Sequence, residues 1–379
     1  MGHIHKRTQA GTIRWRARYQ APDGTERSRS FVRKVDAERF LAEVETDKAR
    51  GTWTDPALAQ IAFADWSDQW LRTTTHLKPK TRAGYESTLR THLLPAFGPV
   101  AIGKIRGSHV REVLAGMQAR GLSASACRQA YYLLNSILQA AIDDGRIRTS
   151  PCAGIKLPRL PNVEMQFLDP SQLRDVLEAI DPRYRLFVEL LAISGLRFGE
   201  GAALRRCRCD IERSRITVAE NAVDVGGKLV FGSPKTHQVR TVVLPSFLSD
   251  HLAEQLASAG GPNTLVFTSP RGEPIRYGNF LRRVWKPTLE KVEIPEMGVH
   301  ALRHTCAALL IAQGAHPKAI QRHLGHRSIT TTLDRYGHLF EDEHDRLADR
   351  IDDAYRSFAA PQGRSEEADV HLRPPSRLP

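Results

Sequence analysis

The sequence predicts an α+β protein of several domains: a small N-terminal β-sheet backed by a helix, an all-helical domain, and a mainly helical domain with a small antiparallel sheet. Three observations predict this fold class. The length of 379 residues is typical of two to three domains. Period-two alternation is confined to residues 11–34 and to short runs between 216 and 244, while most other segments have helical periodicity. A run with three prolines, from Ser150 to Asn162, predicts an extended linker between the two helical parts.

The N-terminal alternation predicts two strands joined at Asp23-Gly24, a strong hairpin turn signal. Three arginines of the first strand share one face because successive side chains point to opposite sides, and two more continue on the return strand. These arginines are Arg14, Arg16, Arg18, Arg27 and Arg29. Residues 34–50 predict a helix that ends at Gly51. A small sheet with an arginine face can enter a DNA groove; the alternative is an ordinary solvated face.

Four helices are predicted between residues 61 and 150. The second ends before Pro95, Ser108 and Ser123 cap the third and fourth, and the fourth ends at Gly145. The candidate DNA-binding side chains on this bundle are Lys78, Lys80, Arg82, Arg111 and Arg128. Its tryptophans are expected in the core, rather than as platforms on which bases stack.

The net charge of +13 is unevenly distributed. Residues 1–60 carry +4, residues 61–160 carry +8, and residues 161–379 carry only +1. This distribution predicts a polyanion bound by the N-terminal two-fifths, although a basic protein with solvated charges is the alternative. No apolar run approaches the roughly 18 residues of a membrane span, and no signal peptide is recognisable. The five cysteines form no paired framework, so we expect reduced thiols and a cytoplasmic, nucleoid-associated protein.

Residues that predict a chemistry lie between Gly298 and Leu339. His300 and Arg303 are three positions apart, so on a helix they share a face and can converge on one anion. Arginine suits phosphate because its planar fork bonds two oxygens and stays charged. Tyr336 carries a hydroxyl that can act as a covalent nucleophile. Arginine, histidine and tyrosine without paired carboxylates predict phosphoryl transfer that needs no metal.

Two further candidates lie earlier in the chain. Arg197 follows a helix-ending glycine, and Glu200 stands three residues on, where it can orient the arginine. Lys235 lies between two predicted strands, where it can donate a proton from a hairpin tip or be a solvated turn residue. His304, four residues after His300, suggests a zinc pair, but the stretch lacks the glutamate of an H-E-x-x-H motif. We therefore expect no metal site and no cofactor.

Taken in order, these residues resemble the tyrosine recombinase (phage integrase) family. The family's motifs read Gly-Leu-Arg, His-x-Leu-Arg-His-Thr, Leu-Gly-His and a later Tyr-x-His. Here they stand as GLRFGE (195–200), HALRHT (300–305), LGHRSITTT (324–332) and YGH (336–338). The resemblance covers nearly the whole chain. It implies an arm-type DNA-binding domain (1–60), a helical core-type DNA-binding domain (61–150), a linker (151–164) and a catalytic domain (165–358), with a disordered tail expected over 359–379.

The resemblance also implies a mechanism. The tyrosine attacks the scissile phosphorus to leave a 3′-phosphotyrosine, two arginines and a histidine bind the non-bridging oxygens, a second histidine helps to remove the tyrosine proton, and a lysine protonates the leaving 5′-oxygen. These roles fall, in that order, on Tyr336, Arg197 and Arg303, His326, His300, and Lys235. The implied partners are duplex attachment sites, three further copies of the chain in a tetramer, an excisionase and a host DNA-bending protein.

Alternatives remain at this stage. A resolvase of chromosome or plasmid dimers would use the same chemistry, and a non-catalytic DNA-binding regulator would keep only the scaffold. Leu347, Ile351, Ala354, Tyr355 and Phe358 form an apolar helical stripe after the nucleophile. That stripe is expected to pack either on a neighbouring protomer or on its own domain.

Overall fold

The computed structural model describes residues 2–9, 12–51, 53–161, 165–234, 239–257, 260–340, 348–349 and 351–356. The chain divides into two units, residues 1–163 and residues 164–379. The first unit holds both the N-terminal sheet and the helical bundle. The second unit holds all the motifs quoted above.

A three-stranded antiparallel sheet in the order β1-β2-β3 begins the chain, with one helix packed against it. Its elements are β1 (His3–Gln9), β2 (Thr12–Gln20), β3 (Glu26–Phe31) and α1 (Lys34–Ala49). The sequence did not predict β1. Ala17 and Tyr19 of β2 are buried, whereas the alternate arginines of that strand lie on the other face, as predicted. In the β1–β2 register, His3, His5 and Arg7 stand opposite Arg18, Arg16 and Arg14, so the arginine face extends onto β1.

The two arginines of β3 do not join that face. Arg27 pairs with Tyr19 and Arg29 with Ala17, and residues directly opposite each other point to the same side of a sheet. The Arg29 guanidinium carbon lies 5.4 Å from the ring centroids of both Phe31 and Phe40. Arg27 forms an ion pair with Asp55. The strand register therefore places Arg27 and Arg29 on the face that carries the buried side chains.

The helical bundle contains the four predicted helical segments, with two corrections. Its helices are α2 (Phe63–Thr73), α3 (Pro79–Thr88), α4 (Leu94–Phe97), α5 (Gly107–Ala119) and α6 (Ala124–Asp143). The second segment does not end before Pro95, because a π-helical turn links α3 to α4 and proline tolerates the first turn of a helix. Ser108 is not a cap, since α5 begins at Gly107. Ser123 does cap α6, through a hydrogen bond from the Ala126 amide.

The core of the bundle explains its tryptophans. Trp66 is 5% exposed, and its indole N–H donates to the Ile137 carbonyl of α6 at 2.9 Å. Trp70 stacks on Tyr85 with ring centroids 6.0 Å apart. Both contacts fit the expectation that these residues are packing groups, because a buried indole needs a partner for its N–H.

The second unit is mainly helical and contains two small antiparallel sheets. Its helices are α7 (Pro170–Ala179), α8 (Pro182–Ser194), α9 (Phe198–Ala202), α10 (Ser246–Ala257), α11 (Tyr277–Phe280), α12 (Lys286–Lys291), α13 (Ala301–Ala312), α14 (Pro317–Leu324) and α15 (Ile329–Tyr336). Its strands are β4 (Cys209–Asp210), β5 (Arg215–Val218), β6 (Asn221–Val225), β7 (Lys228–Gly232) and β8 (Arg240–Val243). They form sheets in the orders β4-β5-β8 and β6-β7, of which β4 and β6 were not predicted. None of the described helices combines the length and apolar character needed to cross a lipid bilayer.

Three helices meet closely at Gly195, where α8 ends. Gly195 has a φ of +65°, the left-handed conformation expected for a glycine that ends a helix. A Cβ at this position would lie 2.4 Å from Leu324 Cδ2 of α14 and 3.0 Å from Cys306 Sγ of α13. The missing side chain therefore lets α8 approach both α13 and α14.

Gly195→Ala is expected to destabilise the second unit more than Gly272→Ala does. Both glycines have positive φ, which costs an L-residue about 1–2 kcal/mol. Gly272 has open space where a Cβ would lie, whereas Gly195 does not, so overpacking adds about 1–3 kcal/mol there. Denaturant unfolding of the two variants measures the difference. Equal losses of stability would contradict the close approach of the three helices.

Candidate active site

Arg303 is buried near the centre of the site. It lies on α13 and is 2% exposed. Its guanidinium donates from Nη1 to the Gly195 carbonyl and from Nη2 to the Leu324 carbonyl, both at 2.6 Å. These carbonyls lie at the C-terminal ends of α8 and α14, where helix dipoles favour a cation. Burial and the nearby Arg197 lower the pKa of Arg303 to about 9, which leaves it charged at neutral pH.

Arg197 is fixed by a buried carboxylate that it shares with a second arginine. Arg197 Nη1 donates to Glu200 Oε1 at 2.8 Å, as the spacing predicted, and the Arg197 amide donates to Oε2 at 3.0 Å. Arg240 of β8 donates to the same two oxygens at 3.1 and 2.7 Å. Burial alone would raise the pKa of Glu200, but Arg240 and then Arg197 bring it down to about 2. Glu200 therefore remains an anion that holds two cations in place.

Tyr336 is the last residue of α15 and is wholly buried. Its ring belongs to a small apolar cluster with Cys306, Ile320 and Leu324. Its hydroxyl lies 2.9 Å from Nδ1 of His304 on α13. Burial raises the pKa of the Tyr336 hydroxyl above its usual value, although Arg303 and Arg335 oppose the rise. The candidate nucleophile is therefore a neutral phenol in contact with an imidazole.

His326 follows Gly325, the left-handed residue that ends α14. Its ring lies parallel to that of Tyr336, with centroids 6.3 Å apart, and its Nδ1 is 2.8 Å from Thr332 Oγ1. Burial, followed by the charges of Arg303 and Arg197, lowers the pKa of His326 to about 3. The imidazole is therefore neutral near pH 7 and can donate one ring N–H to an anion.

His300 and His304 lie one turn apart but differ in surroundings. His300 precedes α13 and is exposed, and its ring centroid is 4.9 Å from that of His304. His304 is half-buried, and burial, with Arg335 and Arg303 next, lowers its pKa to about 4. Of these two rings, His304 is the one that bonds the Tyr336 hydroxyl in the structure.

Lys235 lies outside the described residues, in the segment between β7 and β8. The other candidate catalytic residues converge on one site: Arg197, Glu200, His300, Arg303, His326 and Tyr336. Sequence reasoning missed Arg240 and Thr332, and it weighed His304 only as a metal ligand. An in-register histidine four residues after His300 was the one signal available for His304. Nothing local marks Arg240, whose partner is 40 positions earlier in the chain.

The candidate DNA-binding residues of the bundle differ in how they are held. Lys80 and Arg111 are exposed. Arg82 is half-buried, forms an ion pair with Glu86 at 3.0 Å and donates to the Leu71 carbonyl. Arg128 donates to the Pro158 carbonyl and to the Tyr132 hydroxyl. Lys78 is half-buried at the start of α3.

Comparisons with known proteins agree with this geometry. The model of the "Phage integrase family" matches residues 166–343, and that of the "Phage integrase, N-terminal SAM-like domain" matches residues 62–118. The putative prophage phiRv2 integrase of Mycobacterium tuberculosis (strain ATCC 25618 / H37Rv) is 29% identical over 347 residues, which cover 87% of this chain and 90% of the relative.

Two solved structures share the fold. The Tn1549 transposon integrase in complex with a circular intermediate DNA matches with a TM-score of 0.68 at 22% identity, over 77% of this chain and 99% of that chain. A lambda integrase tetramer bound to a Holliday junction matches with a TM-score of 0.56 at 18% identity, over 86% of this chain and 96% of that chain. The family models, the relatives and the shared fold all point the same way as the residues around Tyr336, and the chain therefore belongs to the phage integrase family of tyrosine recombinases, as a site-specific DNA-recombining enzyme.

Proposed function

We propose that this enzyme integrates a phage or another mobile element by cutting and rejoining duplex DNA at paired attachment sites through a 3′-phosphotyrosine at Tyr336. The observation that carries the proposal is the buried Tyr336 hydroxyl, set among imidazoles and guanidiniums that come from separate helices. Such a site can bind a phosphodiester and present a nucleophile to it. Resealing conserves the phosphoester bond, so the reaction needs no ATP.

The basic side chains around Tyr336 stabilise the transition state. Arg197 and Arg303 bind the non-bridging oxygens as negative charge builds on the pentacovalent phosphorus. His326 donates a hydrogen bond to one of the same oxygens, because its low pKa keeps it neutral and its Nδ1 already faces Thr332. Lys235 protonates the leaving 5′-oxygen. Deprotonating a tyrosine of ordinary pKa at pH 7 costs about 4 kcal/mol, so this site must also take up a proton.

Arg240 acts as a positioning residue. It bonds both oxygens of Glu200 and also donates to the His323 carbonyl at 3.4 Å, close to the turn that presents His326. Removing one partner of a buried ion pair leaves an uncompensated charge and costs about 3–5 kcal/mol. Arg240 therefore links the orientation of Arg197 to that of His326.

Assembly into a tetramer on DNA follows from the same proposal. The apolar stripe after the nucleophile falls partly outside the described residues, which exclude Leu347 and Phe358. In the described part, Ile351 is 61% exposed and Tyr355 69% exposed. Their exposure within a single chain supports docking on a neighbouring protomer. An excisionase and a host DNA-bending protein are the further partners that we propose, with the bacterial nucleoid as the location.

The arginine face of the N-terminal sheet favours an integrase over a dimer resolvase. We propose that residues 1–60 read an arm-type site, residues 61–150 bind the core site and residues 165–358 carry the chemistry. The face comprises Arg7, Arg14, Arg16 and Arg18, with His3 and His5 beside them. A second, independent DNA contact of this kind can bring distant sites together.

Tyr336→Phe is expected to abolish covalent capture of a nicked core site while DNA affinity stays within about twofold. The variant loses the attacking oxygen and keeps the buried ring. Tyr355→Phe is the matched control, because it removes the hydroxyl of an exposed tyrosine later in the chain and should retain adduct formation. An adduct with the Tyr336→Phe protein, detected by denaturing gel, would show that Tyr336 is not the nucleophile.

Replacing Arg14, Arg16 and Arg18 together with alanine is expected to weaken binding to the arm-type site and leave cleavage of a short core site intact. Loss of three phosphate contacts should reduce the slope of log affinity against log salt by about 2.7. Arg39→Ala, at an exposed arginine on α1, is the control for a simple change in charge. Binding is measured by fluorescence anisotropy at several salt concentrations. Equal weakening at arm and core sites would contradict an independent arm-reading domain.

A further inference from the structure

We propose that His304 is the catalytic residue that takes the proton from Tyr336 as the tyrosine attacks phosphorus, and that it returns this proton when the strand is resealed. The family resemblance gives this role to His300. The inference rests on the recombinase chemistry proposed above, since it concerns the same nucleophile. It assigns a base to a residue that the sequence offered only as a possible metal ligand.

The contact between the two side chains is the first observation. His304 Nδ1 and the Tyr336 hydroxyl oxygen are 2.9 Å apart, and the ring centroids are 5.8 Å apart. A general base must lie within about 2.6–3.2 Å of the oxygen whose proton it removes, and His304 meets that condition before any substrate is bound. The Nε2-protonated tautomer of His304 leaves Nδ1 free to accept this proton.

Burial of the nucleophile is the second observation. Tyr336 is 0% exposed, so bulk water does not reach its hydroxyl. The proton must therefore pass to a side chain that touches the oxygen. Among the described residues, His304 is the one whose hydrogen bond to this hydroxyl the structure shows.

The other two imidazoles of the site are less suitable. His326 lies parallel to the phenol ring, and its Nδ1 is already 2.8 Å from Thr332 Oγ1. His300 is exposed, and its ring contact is with His304. It lies one position further out, where it can relay a proton from His304 to solvent.

Substrate binding strengthens His304 as a base. Without DNA, burial and the charges of Arg335 and Arg303 hold the pKa of His304 near 4, which keeps it unprotonated but weakly basic. A phosphodiester bound by the site's arginines brings a negative charge that offsets these cations, and this raises the pKa toward the working pH. In the step itself, the Tyr336 O–H proton moves to Nδ1 and the oxygen bonds to phosphorus. The bond from phosphorus to the 5′-oxygen breaks, and that oxygen takes a proton from a separate acid.

The test measures single-turnover adduct formation between pH 6 and 9, on duplexes that carry the attachment core recovered from the element's chromosomal junction. One duplex has the natural 5′-oxygen at the scissile position and the other a 5′-bridging sulfur, whose thiolate leaves without a proton. His304→Asn keeps a hydrogen-bonding group near the position of Nδ1 but accepts no proton. We expect it to slow cleavage of both duplexes about 100-fold or more, within the range for lost general base catalysis, with DNA affinity unchanged. Its rate should rise about tenfold per pH unit, because hydroxide then removes the proton.

Two variants serve as comparisons. His300→Asn replaces the rival base and should keep the wild-type pH profile. His316→Asn is the control for histidine-to-asparagine replacement, since His316 Nδ1 accepts the Lys318 amide at the start of α14 and asparagine caps helices well. His304→Gln provides a second variant, and melting temperatures show whether each protein is folded.

The outcomes separate the two proposals. A wild-type protein that forms no adduct contradicts the recombinase function itself. A wild-type adduct together with a folded His304→Asn or His304→Gln protein of wild-type rate and pH profile overturns the role of His304. A steep pH dependence in His300→Asn alone gives the role to His300. Rescue of His304→Asn by the sulfur-bridged duplex would make His304 the acid for the leaving group, which also overturns the proposal.

Discussion

The hydrogen bonds of one buried guanidinium hold the catalytic unit together. Arg303 cannot lie in the protein interior unless its donors are satisfied, because burying an unpaired charge costs several kcal/mol. The carbonyls at the ends of α8 and α14 supply two of those bonds, and each comes from a different motif of the family pattern. The positive charge is therefore available to a phosphate only where three helices have already been brought together. Gly195 makes this arrangement possible, because its missing side chain leaves room for α13 and α14.

A second constraint links the remaining arginines. Glu200 is wholly buried as a side chain, and it neutralises Arg197 and Arg240 at once. Gly325 contributes here, since a Cβ at that position would lie 2.8 Å from Cδ of Arg240. The strand β8, the start of α9 and the turn before His326 thus share one ionic network. Cations that would repel one another in isolation are held close enough to act on a single phosphate.

The placement of Tyr336 has consequences for reactivity. A phenol inside an apolar cluster is protected from adventitious chemistry, and burial keeps it protonated. The neighbouring imidazoles have pKa values far below neutrality, for the same reason and because arginines surround them. The free enzyme therefore holds a neutral nucleophile and neutral bases in a positively charged site. A bound phosphodiester changes that electrostatic balance, so the substrate helps to create the reactive state.

The sequence by itself determined the features that depend on local chemistry. Helix ends at Gly51, Gly145 and Gly195 were predictable because a left-handed residue ends a helix whatever surrounds it. The spacing of Arg197 and Glu200 predicted their ion pair, since three residues of one short helix lie close together. The motif order also predicted the family. Tertiary structure decided what depends on packing between distant segments. Strand register, rather than alternation alone, placed Arg27 and Arg29 on the buried face. Arg240 met Glu200 across 40 positions, and His304 rather than His300 met Tyr336 across 32. Two histidines one turn apart have equivalent local patterns, and only the docking of α15 against α13 determines which imidazole reaches the phenol.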